Sequence, residues 1–177
     1  MKHISLIGIT IITLLSVSLQ AQIYIGEENE NVTGASTLLS FEDDPANNTK
    51  GIILPAVTSL PLNPANGTFI FDTTDDASII RMYENNSWVD LSEAELGSSD
   101  ALITNDSDDV GEGTVIGAET SPSNGVLVLE SSSKAIILPK IANPELHVKS
   151  PYPGMICYDT VSQSLAVFDG SHWYFWK

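Results

Sequence analysis

Cysteine is almost missing: the 177 residues hold one, Cys157. No disulfide can form within the chain, which excludes the small secreted domains that are stapled by such bridges. Basic residues are scarce too, with seven Lys and Arg against 23 Asp and Glu and a formal charge of −16. That balance excludes nucleic acid as a partner, because Lys and Arg must neutralise phosphates there. It excludes anionic membrane surfaces on the same ground. What such a charge does provide is a soluble exported surface, with divalent cation binding as the sharper alternative. No phosphate-cradling glycine loop, G-x-S-x-G, H-E-x-x-H or paired C-x-x-C occurs, so no cofactor, metal or catalytic residue is assigned from motif.

Long apolar runs are confined to the start. Residues 1–21 carry one early Lys2, an apolar stretch from Ile4 to Leu19 and a small Ala21 before Gln22. This pattern predicts a secretory signal peptide cleaved near Ala21, too short and too rich in Ser and Thr for a spanning helix. Cleavage leaves 156 of the 177 residues and also removes Lys2, so six basic residues face 23 acidic ones, a charge of −17. The mature chain then has no second stretch of membrane length. Its expected location is secreted or at the cell surface.

What the chain does contain is organised around Pro151 to Trp176. Met155–Tyr158, Leu165–Phe168 and Trp173–Trp176 are short runs of strand-favouring types. Asp169-Gly170 between the last two supplies a hairpin turn, since Gly accepts positive φ without a Cβ clash. A three-stranded antiparallel meander follows. An earlier stretch, Pro64 to Leu91, reads the same way, with Phe69–Phe71, Ile79–Tyr83 and Trp88-Val89 in the three places and Asn85-Asn86 in the turn.

The two stretches agree in register. Lys50-Gly-Ile-Ile-Leu-Pro55 matches Lys134-Ala-Ile-Ile-Leu-Pro139 at an offset of 84, Asp72-Thr73 matches Asp159-Thr160 at 87, and Trp88 matches Trp173 at 85. Each strand keeps its parity, so Ile80 and Met82 share a face with Leu165 and Val167. Ile23–Gly26 with Thr37–Phe41, and Val115–Gly117 with Val126–Leu129, precede the two copies as further strands. The fold class is therefore all-β: two tandem copies of a small unit built on a three-stranded meander, behind a signal peptide. The divisions are 1–21 signal peptide, 22–91 first repeat, 92–114 acidic linker and 115–177 second repeat. Ser92 to Glu95 could open one helical turn with Ser92 as N-cap. Gly97 to Asp109, rich in Ser, Asp and Asn, reads as a linker or mobile loop. The connectors Ala56–Asn63 and Lys140–Ser150 read as extended.

The K-G-x-x-x-P block (Lys50–Pro55, Lys134–Pro139), the P-x-x-G hairpin ending in Y-D-T or its like, and the F-D-G-S-x-W turn resemble repeats of bacteriophage tail-fibre-like proteins and secreted bacterial surface proteins. The resemblance covers most of the mature chain apart from the linker. It implies a non-enzymatic fibre or surface module, often a homotrimer. This chain departs from the pattern at Ala135, which replaces the glycine of the first block, and in lacking Arg after both prolines.

Each chemical feature has a structural alternative. Cys157 could be a nucleophile, but its counterpart Ile70 makes it a buried apolar strand residue, and neither His147 nor His172 has a counterpart supporting a pair with it. Asp72 and Asp159 could ligate a cation or act as paired carboxylates; the competing reading is Asp accepting from backbone N–H groups just past a strand. Asp106, Asp108 and Asp109 cluster, but Val110 stands where a calcium loop needs an oxygen ligand. Trp88, Trp173, Tyr174 and Trp176 could form a glycan-binding platform. Their alternation puts Trp173 and Phe175 on one face and Tyr174 and Trp176 on the other, so a packing or subunit-interface role competes. The leading expectation is an exported structural or adhesion module that self-associates, with another surface protein or a glycan as its other partner. A carbohydrate-binding module is the alternative, and a secreted hydrolase using acidic residues a further one. A three-stranded meander is marginal alone. Each unit must therefore borrow a layer from its own K-x-I-I-L-P strand, from the sister copy or from another chain.

Overall fold

The computed structural model describes residues 22–26, 36–41, 48–103, 111 and 113–177. Residues 1–21, expected to be a leader, and the Asp106–Asp109 cluster, with residues 104–110 and 112 of the segment expected to be a linker, lie outside the described residues. Strands are β1 (Ile23–Ile25), β2 (Thr37–Phe41), β3 (Ile52–Ile53), β4 (Ala56–Val57), β5 (Phe69–Asp72), β6 (Ile79–Glu84) and β7 (Ser87–Asp90). They continue as β8 (Thr114–Ile116), β9 (Leu127–Leu129), β10 (Ala135–Ile136) and β11 (Lys140–Ile141). One helical turn, α1 (Pro144–His147), precedes β12 (Met155–Asp159), β13 (Ser164–Phe168) and β14 (Trp173–Trp176). The chain is all-β with almost no helix, and its parallel strand pairs give it a solenoid-like, repeat-like arrangement.

Two antiparallel meanders dominate. The first runs β4-β5-β6-β7 and the second β11-β12-β13-β14. Their registers correspond position by position. Phe69 faces Met82 and Ile156 faces Val167; Tyr83 faces Trp88 and Phe168 faces Trp173. Each first strand carries a parallel two-residue edge, Ala56↔Phe71 with Val57↔Asp72 and Lys140↔Tyr158 with Ile141↔Asp159. The hairpin turns differ in residue type and in backbone conformation. Asn85 and Asn86 both take positive φ, whereas in the second turn Gly170 alone does, which are the demands of type I′ and II′ turns.

The layer each meander needs comes from the other. Leu54, Phe71, Ile80, Leu91, Ile156 and Val167 form one buried cluster, with Ile52, Phe69, Met82, Leu138, Leu165 and Tyr174 packed against it. Both inner faces contribute, as period-two alternation requires. β3 strengthens the link by pairing antiparallel with β12, Ile52↔Ile156 and Ile53↔Met155. Gly51 permits this approach, since a Cβ there would stand 2.6 Å from the Ile156 carbonyl oxygen.

The outer face of the second meander is covered locally. Ile141 and Val148 close over Met155, Cys157, Ala166 and Phe168, with Trp173 at the margin. The connector that does this is not wholly extended. Asn143 adopts φ 48°, Pro144 opens α1 with its φ already helical, and the turn lowers Val148 onto the sheet. Parallel pairs make up the rest: β1-β2-β10 and β8-β9.

The start of the 92–114 segment packs onto the sheets. Ser92 caps no helix; it is buried, and its Oγ accepts the Ile80 N–H at 3.0 Å. Ser98 N–H donates to the Asp169 carbonyl at 2.9 Å, Leu102 packs against the shared core, and Ile103 N–H donates to the Tyr152 hydroxyl at 2.7 Å. Among the described residues no helix is long and apolar enough to cross a membrane.

Candidate functional site

The aromatic residues of the second meander are the natural place to look for a binding face. Strand alternation distributes them over both sides of β14. Tyr174, opposite Val167, turns inward and packs on the shared core. Burial, then the negative charge of Asp169, raises its phenol above the ordinary range. Trp173, opposite Phe168, turns outward and stacks on it with ring centroids 5.3 Å apart. Trp176 lies at the seam between the sheets, where its Nε1–H donates to the Leu91 carbonyl at 2.7 Å. Trp88 belongs to the other meander and meets Tyr83 edge-on at 5.2 Å. The four residues therefore occupy separate places: two cross-strand aromatic pairs, one core position and one seam.

The exposed aromatic surface is carried by Trp176, at 44%, and by Phe175, at 39%. Phe175 has no aromatic counterpart, since Asp90 stands at its position in the first meander. The two rings are neighbours in sequence and so point to opposite faces.

The paired aspartates serve the turns. Asp159 is buried, and its Oδ1 accepts from Asn143 and Val161 N–H, both at 3.0 Å, while Oδ2 accepts from Ser162 N–H at 3.0 Å. Burial pushes its pKa up, but these bonds outweigh it and hold the carboxyl below its ordinary value. Asp72 is likewise buried and accepts Thr74 N–H at 2.8 Å, yet its second oxygen pairs with Arg81. Arg81 Nε also reaches Asp90 at 2.7 Å. Sequence reading did not foresee this Asp72–Arg81–Asp90 ladder, although its signal was available: Arg81 is the one arginine in the chain, two strand positions from an aromatic, inside an otherwise apolar run.

Cys157 is wholly buried between the outer face and its cover, and burial with the charge of Asp159 pushes its thiol up to about 12. A thiolate nucleophile is not available there at neutral pH. His147 ends α1, and His172 sits in the last turn, where its N–H donates to Asp169 Oδ1. No group of three or more His, Cys, Asp or Glu among the described residues is placed to hold a metal ion. A groove of about 280 Å³ lies between β10 and β12, lined by Ile136, Ile137, Leu138, Lys140 and Tyr158. It is apolar apart from Lys140 and the Tyr158 hydroxyl.

In comparison with known proteins, no family model, no curated protein and no solved structure matches the chain. The class that fold and surface define is an all-β, repeat-like protein of solenoid character.

Proposed function

We propose that the chain is an exported, non-enzymatic structural or adhesion module made of two tandem copies of one β unit, tail-fibre-like in construction and self-associating. The observation that carries this reading is the use made of the recurring residues. Asp72, Asp159, Trp88, Trp173 and the K-x-I-I-L-P blocks each have a turn, stacking or strand-pairing contact, so the repeated pattern builds a scaffold. A leader cleaved near Ala21 would deliver that scaffold, with a charge of −17, to the cell exterior. Sedimentation of residues 22–177 from one to several hundred micromolar tests the assembly. Concentration-dependent growth supports it, and a monodisperse monomer throughout removes self-association.

One observation favours a second reading. Trp176 and Phe175 leave apolar ring surface in water at the chain's last strand, and ring faces of this kind stack on sugars. A glycan array read with wild type and Trp176→Ala decides it: hits that vanish in the variant support carbohydrate binding, and unchanged or absent hits end it. A hydrolase using acidic residues would need two carboxylates facing across a cleft. Asp72 and Asp159 are instead each committed to their own turn.

A further inference from the structure

β2 and β9 occupy corresponding places, because each is the second strand of a parallel pair whose first strand runs into Ile-Gly. Ile25 pairs with Phe41 and Ile116 with Leu129; two residues back, Leu39 corresponds to Leu127. Their surroundings differ. The far edge of β2 is taken by β10, the K-x-I-I-L-P strand of the second half, with Ile136 opposite Leu39 and Ile137 N–H donating to the Leu39 carbonyl at 2.9 Å. No described strand pairs with the far edge of β9. Leu39 is accordingly 0% exposed and Leu127 47%.

The strand that would fit the open place is also in the chain. β3 is the first K-x-I-I-L-P strand and holds β12 with one edge only. Leu54 N–H donates to Gly154 on the β12 side, so by alternation Ile53 turns its N–H to the open side. Ile53 corresponds to Ile137, the residue that bonds β2, and its side chain is 43% exposed. Within one chain β3 is held against β12, and no β3–β9 pairing occurs among the described residues.

We infer that the open edge of β9 is a docking site for β3 of a second copy of this chain. Lys50–Leu54 adds there as a parallel strand, with Ile52 opposite Leu127 and Ile53 N–H donating to the Leu127 carbonyl. The inference rests on the self-association proposed above and gives it a joint. The contact is head-to-tail, so it repeats along a filament. One strand makes each joint. A reciprocal docking of β10 onto β5 would need a glycine like Gly51, and Ala135 carries the Cβ that Gly51 lacks. Because each copy is strongly acidic, added salt screens the repulsion and strengthens the joint.

Oxidative cross-linking of residues 22–177 tests this, since buried Cys157 stays out of the reaction. An equimolar mixture of Ile52→Cys and Leu127→Cys should give a disulfide heterodimer, and the double variant a ladder, with yields rising severalfold from 20 mM to 500 mM NaCl. Leu129→Pro and Ile53→Pro each remove an N–H from an open edge while sparing β8-β9 and β3-β12 pairing. Each should cut assembly at least tenfold with unchanged circular dichroism. Absence of the heterodimer, or assembly untouched by both prolines, overturns the joint. If wild type still sediments as an oligomer, self-association stands and only the joint falls; if it stays a monomer, both fall.

Discussion

The two meanders share a backbone plan and differ in what covers their outer faces. In the second, Cys157, Ala166 and Phe168 lie under Ile141 and Val148. In the first, the positions of Ala166 and Phe175 are Arg81 and Asp90, which join with Asp72 into an ion-paired ladder. The cover has a cause in chain length. The connector after Pro139 is three residues longer than that after Pro55, as the change of offset from 84 to 87 records. Those residues are enough for α1 to form and drop Val148 onto the sheet. With the short connector the outer face carries the ion-paired ladder beside the buried Ile70; with the longer one the face is apolar throughout the covered cluster. On the inner side no such choice exists, because each meander is the other's cover.

The largest way to break the comparison is at the shared face. Phe71→Ala empties a fully buried site, and a loss of about 3–5 kcal/mol is expected in urea unfolding. Both meanders should unfold together in that variant, read by Trp fluorescence and by exposure of Cys157. Next is the ladder. Arg81→Ala copies the second meander's Ala166 but strands Asp72, whose other bond among the described residues comes from Thr74 N–H, so about 3 kcal/mol should be lost. Asp72→Asn in the same chain should recover part of it. Unchanged stability in Arg81→Ala alone would mean that the ion pairs do not hold this face.

Third is the turn. Gly170→Ala places a side chain at φ 96° and against the Ser98 carbonyl. About 2 kcal/mol should be lost, with faster proteolysis near residue 98. Asn85→Ala at the corresponding turn, where Asn86 N–H makes one long bond to Asn66 Oδ1 at 3.4 Å, should cost less. The smallest effect is at Cys157. Its folded thiol lies at about 12 against about 8.5 unfolded. Its contribution is therefore whole below about 8.5 and fades as pH rises toward 12. Aromatic disulfide reagents should label no thiol in native protein at pH 8 and one in denaturant.

Much of this was legible in the sequence. Strand alternation placed Ile80, Met82, Leu165 and Val167 on one face, and repeat offsets set the register of every meander strand. The turn roles of Asp72 and Asp159 followed from their position just past a strand. Hidden were the contacts between segments distant in the chain. The exchange of K-x-I-I-L-P strands, β3 onto β12 and β10 onto β2, depends on which edge is open once the sheets have packed, and no local pattern encodes that. Ser92 misled for a similar reason: an N-cap residue beside carboxylates reads as a helix start, but a buried Ile80 N–H in need of an acceptor claimed its hydroxyl. Of the candidate aromatic face, alternation gave the directions of Trp173, Tyr174 and Trp176. The seam contact of Trp176 with Leu91 needed both sheets in place.

Native-state hydrogen exchange tests most directly whether the two meanders are one cooperative body. The amides of β5-β6 and of β12-β13 should open with the same free energy, equal to that of global unfolding. Exchange of one pair through an opening of clearly lower free energy, while the other stays protected, would contradict the shared core.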